Sequence, residues 1–229
     1  MGQHGGPRIP IDGLNFTFDP RSPKVSVGNY LSVLNDFLGS ATGATLAGSG
    51  YTSGISFSAS TDKISFSDIS SLNLTSNISV MGWIYPKSFG GGSSGRIYDK
   101  FKTTVPQSGY ALWIDNNIGT NAIAYGTGWV VSTSVARLSN QVSLNTWQHF
   151  AVVHSGTTVT FYKNGSSIGS SSSITAPSSA SGVAACIGNN SGGTNNFDGT
   201  LGTVRVYNKV LLATEIKQIY DTQKSRYGL

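Results

Sequence analysis

Between Trp147 and Gly169 the chain reads WQHFAVVHSGTTVTFYKNGSSIG, two tight turns joining three strands. Apolar residues crowd Trp147 to Val153, Ser155-Gly156 breaks the run, Thr157 to Tyr162 resumes it, and Asn164-Gly165 turns again. Asn-Gly is the strongest short hairpin signal a sequence offers, because both central residues of that turn need positive φ. The first strand is apolar on both faces, Trp147, Ala151 and Val153 against Phe150 and Val152, which places it centrally in a sheet and covered on both sides.

The same alternation recurs along the chain. Leu14 to Phe18, Ile55 to Ala59, Lys63 to Phe66, Arg96 to Phe101, Tyr110 to Ile114, Ala122 to Tyr125 and Trp129 to Arg137 are expected strands, separated by turns at Ser60-Thr61-Asp62, Asp115-Asn116-Asn117 and Gly126-Thr127-Gly128. Asn77 to Tyr85 is a second two-sided strand, with Ile78, Val80, Gly82 and Ile84 on one face and Met81, Trp83 and Tyr85 on the other. The polar stretch from Lys24 to Thr52 reads as a wrapping loop, and the Ser-rich stretch 166–180 as a surface loop. Only the end changes period: Leu212, Ile216, Ile219 and Tyr220 recur at helical spacing, and Gly228 stands where a helix stops.

W-x-H-F-A-V-V, a turn and F-Y-K-N-G resemble the central hairpin of laminin G-like and concanavalin A-like domains. FDGTLGTVRVYN, Phe197 to Asn208, is similar to their final strand motif. The resemblance spans roughly Leu14 to Leu229. It implies an all-β fold, a two-sheet antiparallel jelly-roll sandwich with an extended N-terminal arm (1–13), a sandwich (14–210) and a C-terminal helix (211–229) packed on it. Trp83, Phe150, Phe161 and Val204 are expected in the core, and Ile216, Ile219 and Tyr220 under the helix. The opening, with Gly13, Leu14, Phe18, Asp19 and Pro23, and the ending IYDTQKSRYGL, with Tyr220, Lys224, Arg226, Tyr227, Gly228 and Leu229, resemble laminin G-like modules of tailed-phage virion proteins. One departure is that their Gly-rich acidic turn is missing, Leu34-Asn35-Asp36 being only a loose echo.

Composition narrows the function. Charged residues are 11% of the chain and aromatic ones 10%, a turn-rich β composition that opposes disorder. The net charge of +5 is scattered, and the densest basic cluster, Arg96, Lys100 and Lys102, carries Asp99 in its middle; a solvated face is expected rather than a nucleic-acid site. The single cysteine, Cys186, excludes an intrachain disulfide and reads as a buried hydrophobe. MGQHGGPRIPIDG has no apolar signal region, Gly6 breaks the myristoylation pattern, and no segment approaches the length of a membrane span.

Glucanases of this fold resemble one another in placing carboxylates alternately along one strand. Glu215, in the expected helix, is the only glutamate, and no two aspartates stand at i, i+2, so no catalytic residue is assigned. His149 and His154 read as structural, and one Cys with three dispersed His makes no zinc site. No cofactor is expected; calcium, which many relatives hold at one rim, would have Asp62, Asp115 and Asp198 as its candidate ligands. For sugar binding, Tyr125, Trp129 and the asparagines of two turns, Asn116-Asn117 and Asn189-Asn190, could supply stacking and hydrogen bonds, core aromatics and turn asparagines being the plainer alternative. In the arm, Arg8, Ile9 and Ile11 could dock by strand addition to a neighbouring subunit, the alternative being a disordered tail.

The expected role is therefore non-enzymatic: a virion structural protein, a phage head decoration or other particle-surface protein. Its partners would be other virion proteins such as capsid subunits, and copies of itself. The alternative is a carbohydrate-binding receptor-recognition protein, a tail fibre or adhesin taking host glycans. Neither reading involves specific nucleic acid or a membrane.

Overall fold

A computed structural model describes residues 9–20, 31–33, 37–42, 45–47, 54–128 and 132–229. Among these, the strands in chain order are β1 (Leu14–Phe18), β2 (Leu31–Val33), β3 (Phe37–Thr42), β4 (Thr45–Ala47), β5 (Gly54–Phe57), β6 (Lys63–Phe66), β7 (Ile78–Pro86) and β8 (Arg96–Lys102). There follow β9 (Ser108–Asp115), β10 (Ala122–Gly126), β11 (Val135–Leu138), β12 (Gln148–Ser155), β13 (Thr158–Lys163), β14 (Ser166–Ser171), β15 (Ala185–Ile187) and β16 (Gly199–Tyr207), then one helix, α1 (Ala213–Gln223). They make two antiparallel sheets of eight strands. The first runs β14-β13-β12-β7-β16-β5-β4, with β1 also on β16; the second runs β11-β10-β9-β8-β15-β6-β3-β2.

Strand alternation explains why the sheets face each other. Ile78, Val80 and Ile84 of β7, Phe150 and Val152 of β12, Phe161 of β13 and Val204 and Val206 of β16 point inward, onto Tyr110, Leu112 and Ile114 of β9 and Ile123 and Tyr125 of β10. The expected core residues Phe150, Phe161 and Val204 lie here. Asn164 and Gly165 both have positive φ, 49° and 79°, as the Asn-Gly turn between β13 and β14 requires.

Three expectations are corrected. The stretch 24–52, read as a loop, contributes β2, β3 and β4; its alternation is too short and too polar to show as strands. Residues 166–171 of the Ser-rich stretch form an edge strand, which needs apolar side chains on neither face. Trp129 to Arg137 is not one strand: a 3-10 turn at Ser132–Ser134 precedes β11.

Trp83 is fully buried, but on the far side of the first sheet and not between the sheets. β16 carries an extra residue between Leu201 and Val204 relative to β7, a bulge that leaves the Thr203 amide outside the ladder. Tyr227, just past α1, answers it: its Oη accepts the Thr203 N–H at 3.0 Å, and its ring stacks on Trp83 at 4.1 Å. Trp83 in turn donates from Nε1 to Gln223 Oε1 at 3.1 Å, and the buried Arg205 donates to the same oxygen at 2.9 Å. Ile216 and Ile219 close the rest of the face against Met81, Ala151 and Tyr207. Leu212 has no capping side chain, so Glu215 accepts its backbone N–H at 2.8 Å, half of a capping box.

Residues 9–12 lie on this same face. Ile9 is half-buried against its apolar cluster, and the Pro10 carbonyl accepts from Tyr207 Oη at 3.1 Å. That anchor is thus spent within the chain, Ile11 is 79% exposed, and Arg8 lies outside the described residues.

Candidate functional site

The outer face of the second sheet is built differently. Along β9 the residues alternate with the core positions Tyr110, Leu112 and Ile114, so Ala111, Trp113 and Asp115 point outward, joined there by Phe101, Ala124 and Val135. Two guanidinium groups lie over the Trp113 ring, Arg96 at 4.7 Å and Arg137 at 5.8 Å from its centroid. Each is paired. Arg96 Nε donates to Asp99 Oδ2 at 3.0 Å, and Arg137 Nε donates to Asp115 Oδ2 at 2.6 Å.

Arg96 and Asp99 would face opposite ways in a regular strand, being an odd number of residues apart. The bulge between Arg96 and Tyr98 shifts the register by one and puts both on the outer face. The basic cluster expected to be a solvated face is accordingly buried: Arg96, Asp99 and Lys100 are 5%, 1% and 0% exposed. Lys100 points the other way from Asp99, and its Nζ donates to Asp68 Oδ1 at 2.7 Å and to the Ala180 carbonyl at 3.2 Å. Burial pushes the Asp99 carboxyl up to about 6, against the pull of Arg96. Burial likewise lowers Arg96, which Asp99 and Asp115 partly restore.

Above this layer lies an open groove of about 350 Å3. Its floor is Trp113 with Arg96 and Arg137; one wall is the β9–β10 turn, with Asp115, Asn117 and Ile118, and the other is the loop carrying Asn190, Thr194 and Asn195. That loop is held by its own asparagines. Asn189 Oδ1 accepts the amides of Asn190 and Asn195, each at 2.9 Å, and Asn190 donates to Thr194 Oγ1 and Asn195 Oδ1, both at 2.9 Å. A second hollow of about 290 Å3, between Gln107, Thr127 and Thr175, carries no charged group among the described residues.

The expected site residues fall in different places. Tyr125 is a correction: it is fully buried between the sheets, its hydroxyl 3.2 Å from His154 Nδ1, and offers no face to a sugar. Asn116 is exposed at the groove's turn, its Oδ1 accepting the Asn121 amide, and its neighbour Asn117 lines the groove, as does Asn190. Trp129 lies outside the described residues.

The calcium candidates are not brought together, and among the described residues no group of three or more His, Cys, Asp or Glu could hold a metal ion. Asp62 caps its own turn by accepting the Ser58 and Ala59 amides at 2.8 and 2.9 Å, Asp115 holds Arg137, and Asp198 accepts from Ser88 Oγ at 2.6 Å. Arg96, Trp113 and Arg137, the floor of the groove, were not singled out as a site by the sequence; the one available signal was Asp99 inside a basic cluster.

The two strand histidines are both buried. His154 bridges Tyr125 and the Gly156 carbonyl, while His149 has no hydrogen-bond partner on either ring nitrogen among the described residues, and burial drives it down to about 3.

The family model for concanavalin A-like lectins and glucanases matches residues 58–217. The chain belongs to this superfamily. Among curated proteins none matches. Solved structures of the same fold include the binding domain of Paraclostridial mosquitocidal protein 1, at 14% identity and a TM-score of 0.66 over 92% of this chain and 52% of that one. Domain 4 of AbnA, an extracellular arabinanase from Geobacillus stearothermophilus, in complex with arabinotriose, is 15% identical with a TM-score of 0.65, covering 90% of this chain and 98% of that one. The ligand-binding domain of botulinum neurotoxin serotype D in complex with N-acetylneuraminic acid is 17% identical with a TM-score of 0.66, covering 93% and 51%. This superfamily member spans about half the length of the two toxin domains. At such identities the likeness is one of lectin-like fold.

Proposed function

We propose that the protein is a non-enzymatic recognition module that binds carbohydrate in the groove over Trp113. The observation that carries this reading is the groove itself, open, polar and floored by guanidinium groups on an indole, on the sheet face that no helix covers among the described residues. Its neighbours in fold, solved with arabinotriose and with N-acetylneuraminic acid, support it. Hydrolysis is disfavoured because the two carboxylates under the groove, Asp99 and Asp115, are each 1% exposed and held by arginine, whereas glycosidic cleavage needs two carboxyl groups open to the scissile bond. Glu215 lies on α1 with its carboxylate on Leu212 and Lys209. A glycan array tests the proposal. Sugar-specific binding abolished by Ser94→Tyr, a bulky substitution at a residue that also lines the groove, is the expected result; no sugar-specific binding on the array overturns it.

The second reading sets this module on a virus particle, as a head decoration or other surface protein. What favours it is the ending, Tyr227-Gly228-Leu229, similar to that of phage structural proteins and here an integral part of the fold through the Tyr227 contact with Thr203. Mass spectrometry of purified virions is the test: hundreds of copies indicate head decoration, a handful a tail or fibre, and none removes the reading.

A further inference from the structure

The hydrogen-bonding capacity left around the groove is lopsided. Its carboxylates are spent. Asp115 Oδ1 accepts the amides of Asn117 and Ile118 at 2.9 and 3.3 Å while Oδ2 takes Arg137; Asp99 Oδ1 accepts the Phe101 amide at 3.2 Å while Oδ2 takes Arg96. The side-chain oxygens of the asparagine loop are spent as well, Asn190 Oδ1 on the Thr194 amide at 2.8 Å and Asn195 Oδ1 on Asn190 and Thr194.

The donors are not. Arg137 uses only Nε, its side chain is 22% exposed, and its two terminal amino groups have no hydrogen-bond partner among the described residues. Asn195 Nδ2 makes one long bond of 3.4 Å to the Gly91 carbonyl, and the exposed Asn117 side-chain amide makes none among the described residues. Ile118, 73% exposed, stands beside them as an apolar rim. A planar guanidinium that lines a groove with its terminal nitrogens unbonded among the described residues is matched by an oxyanion, which accepts two parallel bonds and donates none. A neutral hydroxyl brings no charge to that pair.

We infer that the groove takes a sugar bearing an oxyanion, a carboxylate or a sulfate ester, with Arg137 as the specificity-determining residue and Ile118 covering the apolar edge of the ring. This rests on the carbohydrate-binding reading and narrows it. The binding enthalpy of methyl β-glucuronide, glucose 6-sulfate, methyl β-glucoside and inorganic sulfate to the intact protein tests it. The expected result is binding of one or both charged sugars at least about tenfold tighter than the neutral glucoside, the gain from a charge-assisted pair. Asn117→Asp, which sets a carboxylate on the groove wall at an exposed position, should lower affinity for the charged sugar at least about tenfold more than for the neutral glucoside. Arg137→Gln should remove the preference.

Equal binding of charged and neutral sugars would overturn the inference and leave the carbohydrate reading standing. Inorganic sulfate binding as tightly as glucose 6-sulfate would overturn the sugar as the source of the anion. If a glycan array is positive while both charged sugars fail, the inference falls alone; if the array is blank, both fall.

Discussion

On the outer face of the first sheet Trp83 lies under Tyr227 and α1, whereas on the outer face of the second sheet Trp113 lies under two guanidinium groups and an open groove. Both indoles are buried and both come from central strands. The difference is what covers them: an aromatic and apolar cap in which Trp83, Arg205 and Tyr227 find hydrogen-bond partners while the buried His149 ring has none among the described residues, against an ion-paired layer in which Arg137 keeps donors to spare. The first arrangement stabilises the sandwich, and the second leaves binding capacity at a face that the fold does not need to seal.

Replacing Trp83 with Ala should break that contrast most severely. It removes the stack with Tyr227, the bond to Gln223 and the largest side chain of the face, at a cost of about 3–5 kcal/mol in a urea titration. The groove lies on the other sheet, so its ligand affinity in the folded fraction should be unchanged. A loss under 1 kcal/mol would mean that the cap is not what holds this face.

The bulge beneath Tyr227 offers a smaller probe. A Cβ built on Gly202 would clash with Tyr227 Oη, so Gly202→Ala must displace the ring that takes the Thr203 amide. The expected loss is about 1–3 kcal/mol in thermal unfolding. Tyr227→Ala should cancel the extra cost of Gly202→Ala, since the clash then has no partner.

Much of the first face was legible in the sequence. Ile216, Ile219 and Tyr220 recur at helical spacing, and VRVYN alternates, so both the helix and the strand it covers announce themselves locally. The second face was not legible for a definite reason. Arg96 and Asp99 share it only through the bulge between Arg96 and Tyr98, and their indole and second arginine arrive from β9 and β11; periodicity read along one strand assigns Asp99 to the wrong side. Only the turn asparagines, Asn117 and Asn190, were visible beforehand. Tyr125 misled because aromatic residues in core and site look alike until burial is known.

The two faces also titrate in opposite directions. His149, held down at about 3 by burial beside Trp83, binds its proton more readily unfolded, so its contribution is full above pH 6.5 and is lost as pH falls toward 3. Asp99, pushed up to about 6, keeps its proton more readily folded, so its contribution is full below about pH 4 and is lost as pH rises through 6. Between pH 5 and 7 each group should account for about 1–2 kcal/mol, with opposite slopes. In urea titrations across that range the slope of stability against pH should therefore be more negative in a His149→Gln variant than in the parent, and more positive in Asp99→Asn. Slopes that move the same way in both would refute the assignment of the two groups to their environments.

The smallest effect concerns how the chain enters the sealed face. Ile9 is half-buried against the apolar cluster of the first sheet, and Pro10 accepts from Tyr207, while Ile11, one residue later, is 79% exposed. An extended segment turns alternate side chains to opposite sides, so Ile9 and Ile11 would share a face if the segment continued straight; instead residues 12 and 13 turn and the Leu14 amide donates to the Ile11 carbonyl at 3.1 Å. Ile9→Ser should therefore cost about 1 kcal/mol, since it withdraws a partly buried side chain from Met81 and its neighbours. Ile11→Ser should lie within about 0.5 kcal/mol of the parent, as an exposed position in no packed cluster. The pair compares two β-branched residues of one short segment in one thermal melt. If the order reverses, with Ile11→Ser the costlier, the turn does not hold residues 9–12 on the first sheet, and that sheet is sealed by α1 and Tyr227 alone.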